Sequence, residues 1–221
     1  MTLWFFNIDD FPDEKVQHFL SVFPLELEKK INRFKSIEDK KSRLIARLLV
    51  QKYFIDTNGS WDWNLWKTNL NHKPYIENGT YFNISHSGKI VIVAFSNKSE
   101  IGVDIEEIKA IDIIGISNNF HIDEIQHLKK NNYNTDLFYS IWTKKEAFLK
   151  AKGDGILFGI NDLSILKDIV INNKKWYIDN VDFCFGYKCA VCTEFKAKIN
   201  IKQIDYTTLS NLKSQIYSDF G

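Results

Sequence analysis

An apolar, strand-forming run at Ile101–Ile108, IGVDIEEI, contains two carboxylates one residue apart, Asp104 and Glu106. Residues two apart in a β-strand point to the same face, so we expect these two side chains to lie side by side. Neighbouring negative charges repel and raise each other's pKa unless a cation or several hydrogen-bond donors lie between them. The pattern therefore limits this segment to an edge strand with one wet face or to a strand that lines a cation-binding site.

The order of the predicted elements indicates an α+β fold. In chain order, the sequence pattern predicts helices at residues 13–34 and 36–54, strands at 81–84, 89–95 and 101–106, helices at 121–131 and 136–152, and a β-rich C-terminal third. The second helix is expected to end before Thr57-Asn58-Gly59, and Asn78-Gly79 predicts a further turn. The candidate boundary near residues 97–100 divides the chain into halves of residues 1–100 and 101–221.

Composition narrows the classes of partner. The 221 residues have a formal net charge of +1, so a general affinity for polyanions, and with it a nucleic-acid partner, is not expected. The first residues, MTLWFFNIDDF, are apolar but lack a basic leader and contain Asp9 and Asp10. We interpret them as the first strand of a cytoplasmic protein with no membrane span.

Three cysteines lie together in the C-terminal third, at Cys184, Cys189 and Cys192. An odd number favours free thiols over a set of disulfides. In a strand, Cys189 and Cys192 point to opposite faces, and no second Cys or His pair completes a zinc site. We therefore interpret them as small core residues.

The predicted helix DLFYSIWTKKEAFLKAKG, Asp136–Gly153, places Glu146 and Lys150 four residues apart and so on one face. Taken alone, such a pair is usually a solvated surface ion pair. Gly153 and Gly155 follow the helix and are expected to end it, Gly153 as a left-handed cap.

Six segments of the chain together carry a recognisable set of motifs: RFKSIEDKKSRLIARLLVQKYF (Arg33–Phe54), HKPYI (His72–Ile76), NISHS (Asn83–Ser87), GVDIE (Gly102–Glu106), WTKKEAFLKAKG (Trp142–Gly153) and GYKCAVC (Gly186–Cys192). In this order and spacing they resemble the Sfp-type 4'-phosphopantetheinyl transferases over most of the chain. The sequence departs from that pattern at His72, where glycine is usual, and at Leu27, where a second basic residue is usual.

The resemblance implies a fold of two similar α/β halves with pseudo-twofold symmetry in one monomeric chain. It also implies a reaction in which a serine hydroxyl of an apo carrier protein attacks the β-phosphate of coenzyme A, takes the 4'-phosphopantetheine group and releases adenosine 3',5'-bisphosphate. The partners would be coenzyme A and peptidyl, acyl or aryl carrier domains, and the cofactor would be Mg²⁺, which prefers oxygen ligands. On this view residues 1–100 bind the nucleotide and phosphates, and residues 101–221 hold the metal site and the catalytic helix.

By resemblance, Asp104, Glu106 and Glu146 are metal ligands. Glu146 is also the candidate acceptor of the serine proton, directly or through water. We hypothesise that the Lys150 cation binds the pyrophosphate, and His86 matches the histidine that the family uses against coenzyme A phosphate. Catalytic roles are thus predicted for Glu146, Lys150 and His86.

A second predicted set binds coenzyme A: Lys30, Arg43, Lys73, Pro74, Ser85, His86 and Lys150. Lys30 and Arg43 come from the densest basic part of the sequence and match the family's 3'-phosphate positions most nearly. Lys73 matches the lysine beside the adenine. We also hypothesise that Ile113, Ile114, Ile116 and Phe120 present an apolar surface to a helix of the carrier protein.

Two other functions stay open on the sequence alone. Clustered carboxylates also serve magnesium-dependent phosphodiesterases and nucleases, although that function leaves the HKP and SHS motifs unexplained. A non-catalytic relative that binds carrier proteins would keep the fold and lose turnover. Binding of Mg²⁺ without formation of product would distinguish the second of these from an enzyme.

Overall fold

The computed structural model describes residues 1–77, 80–153 and 161–212, so the turn predicted at Asn78-Gly79 and the predicted cap at Gly155 lie outside the described residues. The strands in this part are β1 (Thr2–Asn7), β2 (Trp66–Thr68), β3 (Pro74–Ile76), β4 (Tyr81–Ser87), β5 (Ile90–Ser96), β6 (Ile101–Glu107), β7 (Ile169–Ile171), β8 (Lys174–Asn180), β9 (Tyr187–Thr193) and β10 (Asn200–Gln203). The α-helices are α1 (Val16–Leu20), α2 (Leu25–Asn32), α3 (Ile37–Asn58), α4 (Ile113–Ser117), α5 (Ile122–Lys130), α6 (Thr135–Lys152) and α7 (Tyr206–Ser210).

Two parts of the chain repeat one connectivity. In the first part, β1 is followed by the long helix α3 and then by β4 and β5, and the sheet order is β10-β1-β5-β4. In the second part, β6 is followed by the long helix α6 and then by β8 and β9, and the sheet order is β6-β9-β8-β7. In each, the last strand pairs antiparallel with the first. This repetition confirms the α+β fold with two similar sheet-containing halves.

The chain returns to the first sheet near its C-terminal end. Strand β10 pairs parallel with β1, and Leu209 and Leu212 are buried in the same core as α3. Parallel neighbours need a long crossover connection, and here residues 8–199 form it. The division into residues 1–100 and 101–221 stays a prediction, since β10 and α7 pack against the first half.

Local signals explain the helix boundaries. Ser36 accepts a hydrogen bond from the Asp39 N–H at 3.3 Å as the N-cap of α3, and Gly59 ends the helix with a φ of 80°. The predicted end before Thr57 was two residues short. The helix predicted over residues 13–34 is divided into α1 and α2, because Pro24 cannot continue a helix and instead precedes the first turn of α2.

The strands predicted at residues 81–84 and 89–95 leave SHSG, residues 85–88, as the connection between them, and that boundary was wrong. Strand β4 continues through Ser87, and a two-residue turn at Gly88-Lys89 connects it to β5, where Ser87 pairs with Ile90. Gly88 has a φ of 51°, as tight hairpin turns require. The consequence is that Ser85, His86 and Ser87 alternate between the two faces of a strand.

Helix α6 packs unusually close to β6. A Cβ atom on Gly102 would overlap the Ala147 carbonyl oxygen and the Ala151 backbone, so only glycine allows this approach. Gly153 caps the helix with a φ of 74°, as predicted. The close packing brings the Glu146 and Lys150 face of α6 to the carboxylates of β6.

The three cysteines are free, which agrees with the interpretation from their number. Cys189 and Cys192 are buried in two different apolar clusters, on opposite faces of β9. Within the described part of the chain, no helix combines the length and the hydropathy that a membrane crossing requires.

Candidate active site

The two sheets meet along their edge strands, β4 and β6. Three β6 backbone N–H groups donate to side chains of β4: Val103 to Asn83 Oδ1 at 2.9 Å, Ile105 to Ser85 Oγ at 3.4 Å and Glu107 to Ser87 Oγ at 3.1 Å. Edge-strand N–H groups that are buried need an acceptor, and here alternate side chains of the neighbouring half supply it. We call this row of hydrogen bonds the seam.

Asp104 lies buried at the seam, with 3% of its surface exposed. Its Oδ1 accepts hydrogen bonds from Lys150 Nζ at 2.6 Å and from Ser85 Oγ at 3.0 Å. Its Oδ2 is buried and has no hydrogen-bond partner in the described part of the chain. Burial raises the pKa of Asp104 to about 6, the Lys150 charge opposes this rise, and Glu106 and Glu146 add to it.

Glu106 is half-buried on the same side of β6 and also accepts two hydrogen bonds. Ser87 Oγ donates to its Oε2 at 2.8 Å, and the Trp142 indole N–H donates to its Oε1 at 3.3 Å. Trp142 in turn stacks on Phe120 and Phe138. The two carboxylates therefore share a face, as predicted, and hydrogen-bond donors hold both of them.

Helix α6 supplies the other predicted catalytic groups. Burial raises the pKa of Glu146, the Lys150 charge lowers it, and the Glu106 charge raises it. Lys150 Nζ donates to Asp104 and, at 2.9 Å, to Ser85 Oγ. The ammonium group that was predicted to bind a pyrophosphate thus lies between the two halves, against the buried carboxylate.

The kinds of side chain at this site suit a divalent cation, although the described side chains are not arranged around one. Asp104, Glu106 and Glu146 interact electrostatically, and a buried oxygen of Asp104 lacks a partner, so the chemistry suits a hard cation that binds oxygen. No group of three His, Cys, Asp or Glu side chains among residues 1–77, 80–153 and 161–212 is arranged closely enough to hold a metal ion. With Lys150 beside Asp104, metal ligation stays a prediction.

A cavity of about 360 Å³ opens beside Glu146 and Lys150. The segment before β3 forms its other wall, and the lining residues include His72, Lys73, Pro74, Leu149, Lys150 and Gly153. The fold thus brings together five residues predicted from different motifs: Lys73, Pro74, Ser85, Glu146 and Lys150 all lie at or next to this cavity.

Lys73 also holds the two halves together. Its Nζ donates to Glu100 Oε2 at 2.6 Å, to the Ala151 carbonyl at 3.3 Å and to the Ile101 carbonyl at 3.4 Å.

The preceding His72 has a φ of 61°, in the left-handed region that favours glycine. The family that the sequence resembles usually has glycine at this position, and glycine adopts this backbone conformation without steric strain. This chain adopts the same conformation with the bulkier His72.

His86 points to the face of β4 opposite Ser85 and Ser87, towards α3. Desolvation lowers its pKa, and the charges of Arg43, Lys150 and Arg47 lower it further. Burial lowers the pKa of Arg47 to about 10, and Arg43 contributes to this shift. Arg47 Nε is buried without a hydrogen-bond partner among the residues that the structure describes. The guanidinium groups of Arg43 and Arg47, with the His86 imidazole beside them, form a region suited to an anion. We call it the cationic region.

Three further residues bear on the sequence predictions. Arg47 was not among the predicted site residues, although its spacing of four from Arg43 places both on one helix face. Trp142 was not assigned a role, although it precedes Glu146 by one helical turn. Lys30 is exposed on α2, and its side chain forms no hydrogen bond or ion pair within the described chain, so its role stays a prediction.

Comparison with known proteins identifies the class. Residues 12–98 match the family described as "4'-phosphopantetheinyl transferase, N-terminal", and residues 100–192 match the "4'-phosphopantetheinyl transferase superfamily". The chain therefore belongs to the Sfp-type 4'-phosphopantetheinyl transferases.

Individual relatives are similar over most of their length. The chain is 33% identical over 213 residues to the 4'-phosphopantetheinyl transferase gsp of Aneurinibacillus migulanus, covering 90% of each chain. It is 31% identical over 196 residues to the 4'-phosphopantetheinyl transferase Sfp of Bacillus subtilis strain 168, covering 81% of this chain and 85% of Sfp. It is 30% identical over 216 residues to psf-1 of Bacillus pumilus, covering 92% of this chain and 90% of psf-1.

Proposed function

We propose that this protein transfers the 4'-phosphopantetheine group of coenzyme A to a serine of an apo carrier protein in a magnesium-dependent reaction. The serine oxygen forms a bond to the β-phosphorus, and the bond from that phosphorus to the bridging oxygen breaks. Adenosine 3',5'-bisphosphate leaves, and the serine proton passes to a base. The observation that carries the proposal is that Asp104, Glu106 and Glu146 interact electrostatically beside Lys150 and the cavity, at the seam between the halves.

Different parts of coenzyme A would bind in the cavity and in the cationic region. Lys150 and Lys73 line the cavity. His86 points to the other face of β4, where Arg43 and Arg47 of α3 lie. Phosphoryl transfer depends mainly on positioning and on neutralising charge around the phosphorus. We infer that the cationic region binds a phosphate of coenzyme A and that the pyrophosphate lies next to Lys150.

The carboxylates support the magnesium part of the proposal. Asp104, Glu106 and Glu146 would hold Mg²⁺, which would neutralise developing charge on the transferred phosphoryl group. For Asp104 to contribute, Lys150 would have to leave its carboxylate and turn towards the pyrophosphate. Glu146 is the candidate base because burial raises its pKa above that of an ordinary glutamate, which improves its ability to accept a proton.

An exposed apolar patch near the site supports a carrier-binding role. Ile111 and Ile114 are 38% and 55% exposed, while neighbouring Ile113 packs in the cluster that contains Trp142. Phe120, predicted as part of this surface, is instead buried at 3% exposure and stacks on Phe138. Replacing Ile111 and Ile114 by Asp should raise the KM for the carrier more than the KM for coenzyme A; an equal rise in both would argue against docking here.

Intact-mass spectrometry tests the function. Several purified apo carrier proteins are incubated with this protein, coenzyme A and Mg²⁺, and the expected result is a mass gain of one phosphopantetheine. Glu106→Gln should abolish the gain, as should a chelator. Glu107→Gln is the matched control, because that carboxylate lies next along β6 and pairs with Lys109.

The alternatives give different products. Release of adenosine 3',5'-bisphosphate without a carrier would indicate a phosphodiesterase. Binding of coenzyme A and carrier without any mass gain would indicate a non-catalytic relative.

A further inference from the structure

Ser85 and Ser87 make the same pair of hydrogen bonds, two residues apart. Ser85 Oγ accepts from the Ile105 N–H and donates to the carboxylate of the preceding residue, Asp104. Ser87 Oγ accepts from the Glu107 N–H and donates to the carboxylate of the preceding residue, Glu106. Each hydroxyl thus connects one strand of the N-terminal half to both a backbone group and a carboxylate of the C-terminal half.

The repeat follows from strand geometry. Residues two apart on β4 share a face, and they face residues two apart on β6, so one spacing orients both carboxylates. A serine hydroxyl can accept one hydrogen bond while donating another, which neither alanine nor a carboxylate can do. His86 lies between the two serines and points to the opposite face, towards Arg43 and Arg47. The motif therefore divides into a histidine that faces Arg43 and Arg47 and two serines that face carboxylates.

We propose that Ser85 and Ser87 are positioning residues, which orient the Asp104 and Glu106 carboxylates of the other half for a divalent cation. This inference rests on the proposed magnesium-dependent function. It assigns the serines to the carboxylates, whereas the sequence motif alone had placed Ser85 among the groups that bind coenzyme A.

Asn83 provides a matched control on the same face of β4 for metal binding measured without coenzyme A, since it also lines the cavity. Its Oδ1 accepts from the Val103 N–H, so it belongs to the seam, but Gly102 precedes Val103 and offers no carboxylate. Asn83→Ala and Ser87→Ala each remove one acceptor from the seam, and only the second removes a bond to a carboxylate. Ser87 is a cleaner target than Ser85, because Ser85 also contacts Lys150.

The experiment measures Mn²⁺ binding by isothermal titration calorimetry and by electron paramagnetic resonance, with coenzyme A present and absent. Ser87→Ala should weaken Mn²⁺ binding ~10-fold or more, as loss of an outer hydrogen bond to a ligand typically does, and Asn83→Ala should change it less than about twofold. Both variants should lower Tm by similar amounts. Ser87→Thr keeps the hydroxyl and should restore binding.

Two results would overturn the inference while leaving the proposed function standing: wild-type Mn²⁺ affinity in Ser87→Ala, or equal losses in Ser87→Ala and Asn83→Ala. Failure of the proposed function looks different. If the wild-type protein bound no Mn²⁺ even with coenzyme A, the magnesium-dependent reaction would be wrong, and the positioning role with it.

Discussion

Helix α6 carries two lysines that each bind a buried carboxylate, and the two pairs differ in completeness. Lys145 donates to both oxygens of Glu124 and to the Leu163 carbonyl, and Glu124 also accepts from the Ile165 and His121 N–H groups. The exposed fractions of the Lys145 and Glu124 side chains are 4% and 0%. Every charge in this pair has partners and none faces solvent.

The pair of Lys150 and Asp104 is open. The Lys150 side chain is 30% exposed and borders the cavity, and Asp104 Oδ2 is buried without a partner in the described structure. A buried oxygen without a hydrogen-bond partner lowers the free energy of unfolding. Its presence at this site therefore indicates that a ligand binds there. The two pairs therefore differ in the completeness of their hydrogen bonding and in the exposure of the lysine, and we expect the open pair to be the functional one.

The largest expected effect on stability comes from breaking the closed pair. Lys145→Met leaves Glu124 buried and without its cation, which should lower the free energy of unfolding by about 3–5 kcal/mol. Urea denaturation followed by circular dichroism measures this. The double variant Lys145→Met with Glu124→Leu removes both charges and should recover much of the loss. A single variant as stable as the wild type would mean that the pair is not what holds α5 to α6.

Breaking the open pair should affect activity instead. Lys150→Met should lower kcat/KM by about 100-fold to 1,000-fold, the usual cost of removing one charged group that stabilises a transition state. Its effect on the free energy of unfolding should be smaller than that of Lys145→Met, because the site is partly open to solvent. Phosphopantetheine transfer and urea denaturation on the same preparations test both parts. Equal losses in the free energy of unfolding of Lys145→Met and Lys150→Met would contradict this difference between the two pairs.

Removing the buried charge should separate stability from function more sharply. Burial raises the pKa of Asp104 to about 6, so the ionised carboxylate destabilises the fold at neutral pH, and Asp104→Asn should raise the free energy of unfolding there by about 1 kcal/mol, the order of one unit of pKa shift. The same variant should lose transfer activity. Thermal unfolding without metal gives the first quantity and the mass assay gives the second. A less stable Asp104→Asn would show that the Lys150 contact outweighs the desolvation of the carboxylate.

The smallest effect concerns the backbone at the wall of the cavity. His72→Gly should raise the free energy of unfolding by less than about 1 kcal/mol, because glycine adopts a left-handed conformation without the steric cost that His72 bears. Differential scanning calorimetry measures the change in Tm. Asn132→Gly, at another left-handed position far along the chain, is the control for a general effect of glycine. A loss of stability in His72→Gly would indicate that the imidazole makes a compensating contact.

Much of the local structure could be predicted from the sequence. The period of two in the strand of Asp104 and the spacing of four between Glu146 and Lys150 depend only on backbone geometry, and both hold in the fold. Gly153 as a cap also follows from local conformation. The motifs supported the family and the candidate residues, because their order along the chain is a property of the sequence.

The partners of these residues were decided by tertiary structure. The sequence did not predict that Ser85 and Ser87 face the carboxylates, that Trp142 donates to Glu106, or that Lys150 lies against Asp104. Each of these contacts joins elements far apart in the chain, and local propensity carries no information about which edge strands will meet. By itself, the sequence determined most of the longer elements, the shared faces of Asp104 with Glu106 and of Glu146 with Lys150, and the family. Packing of α6 on Gly102 and pairing across the seam determined which charged groups are satisfied and which remain open.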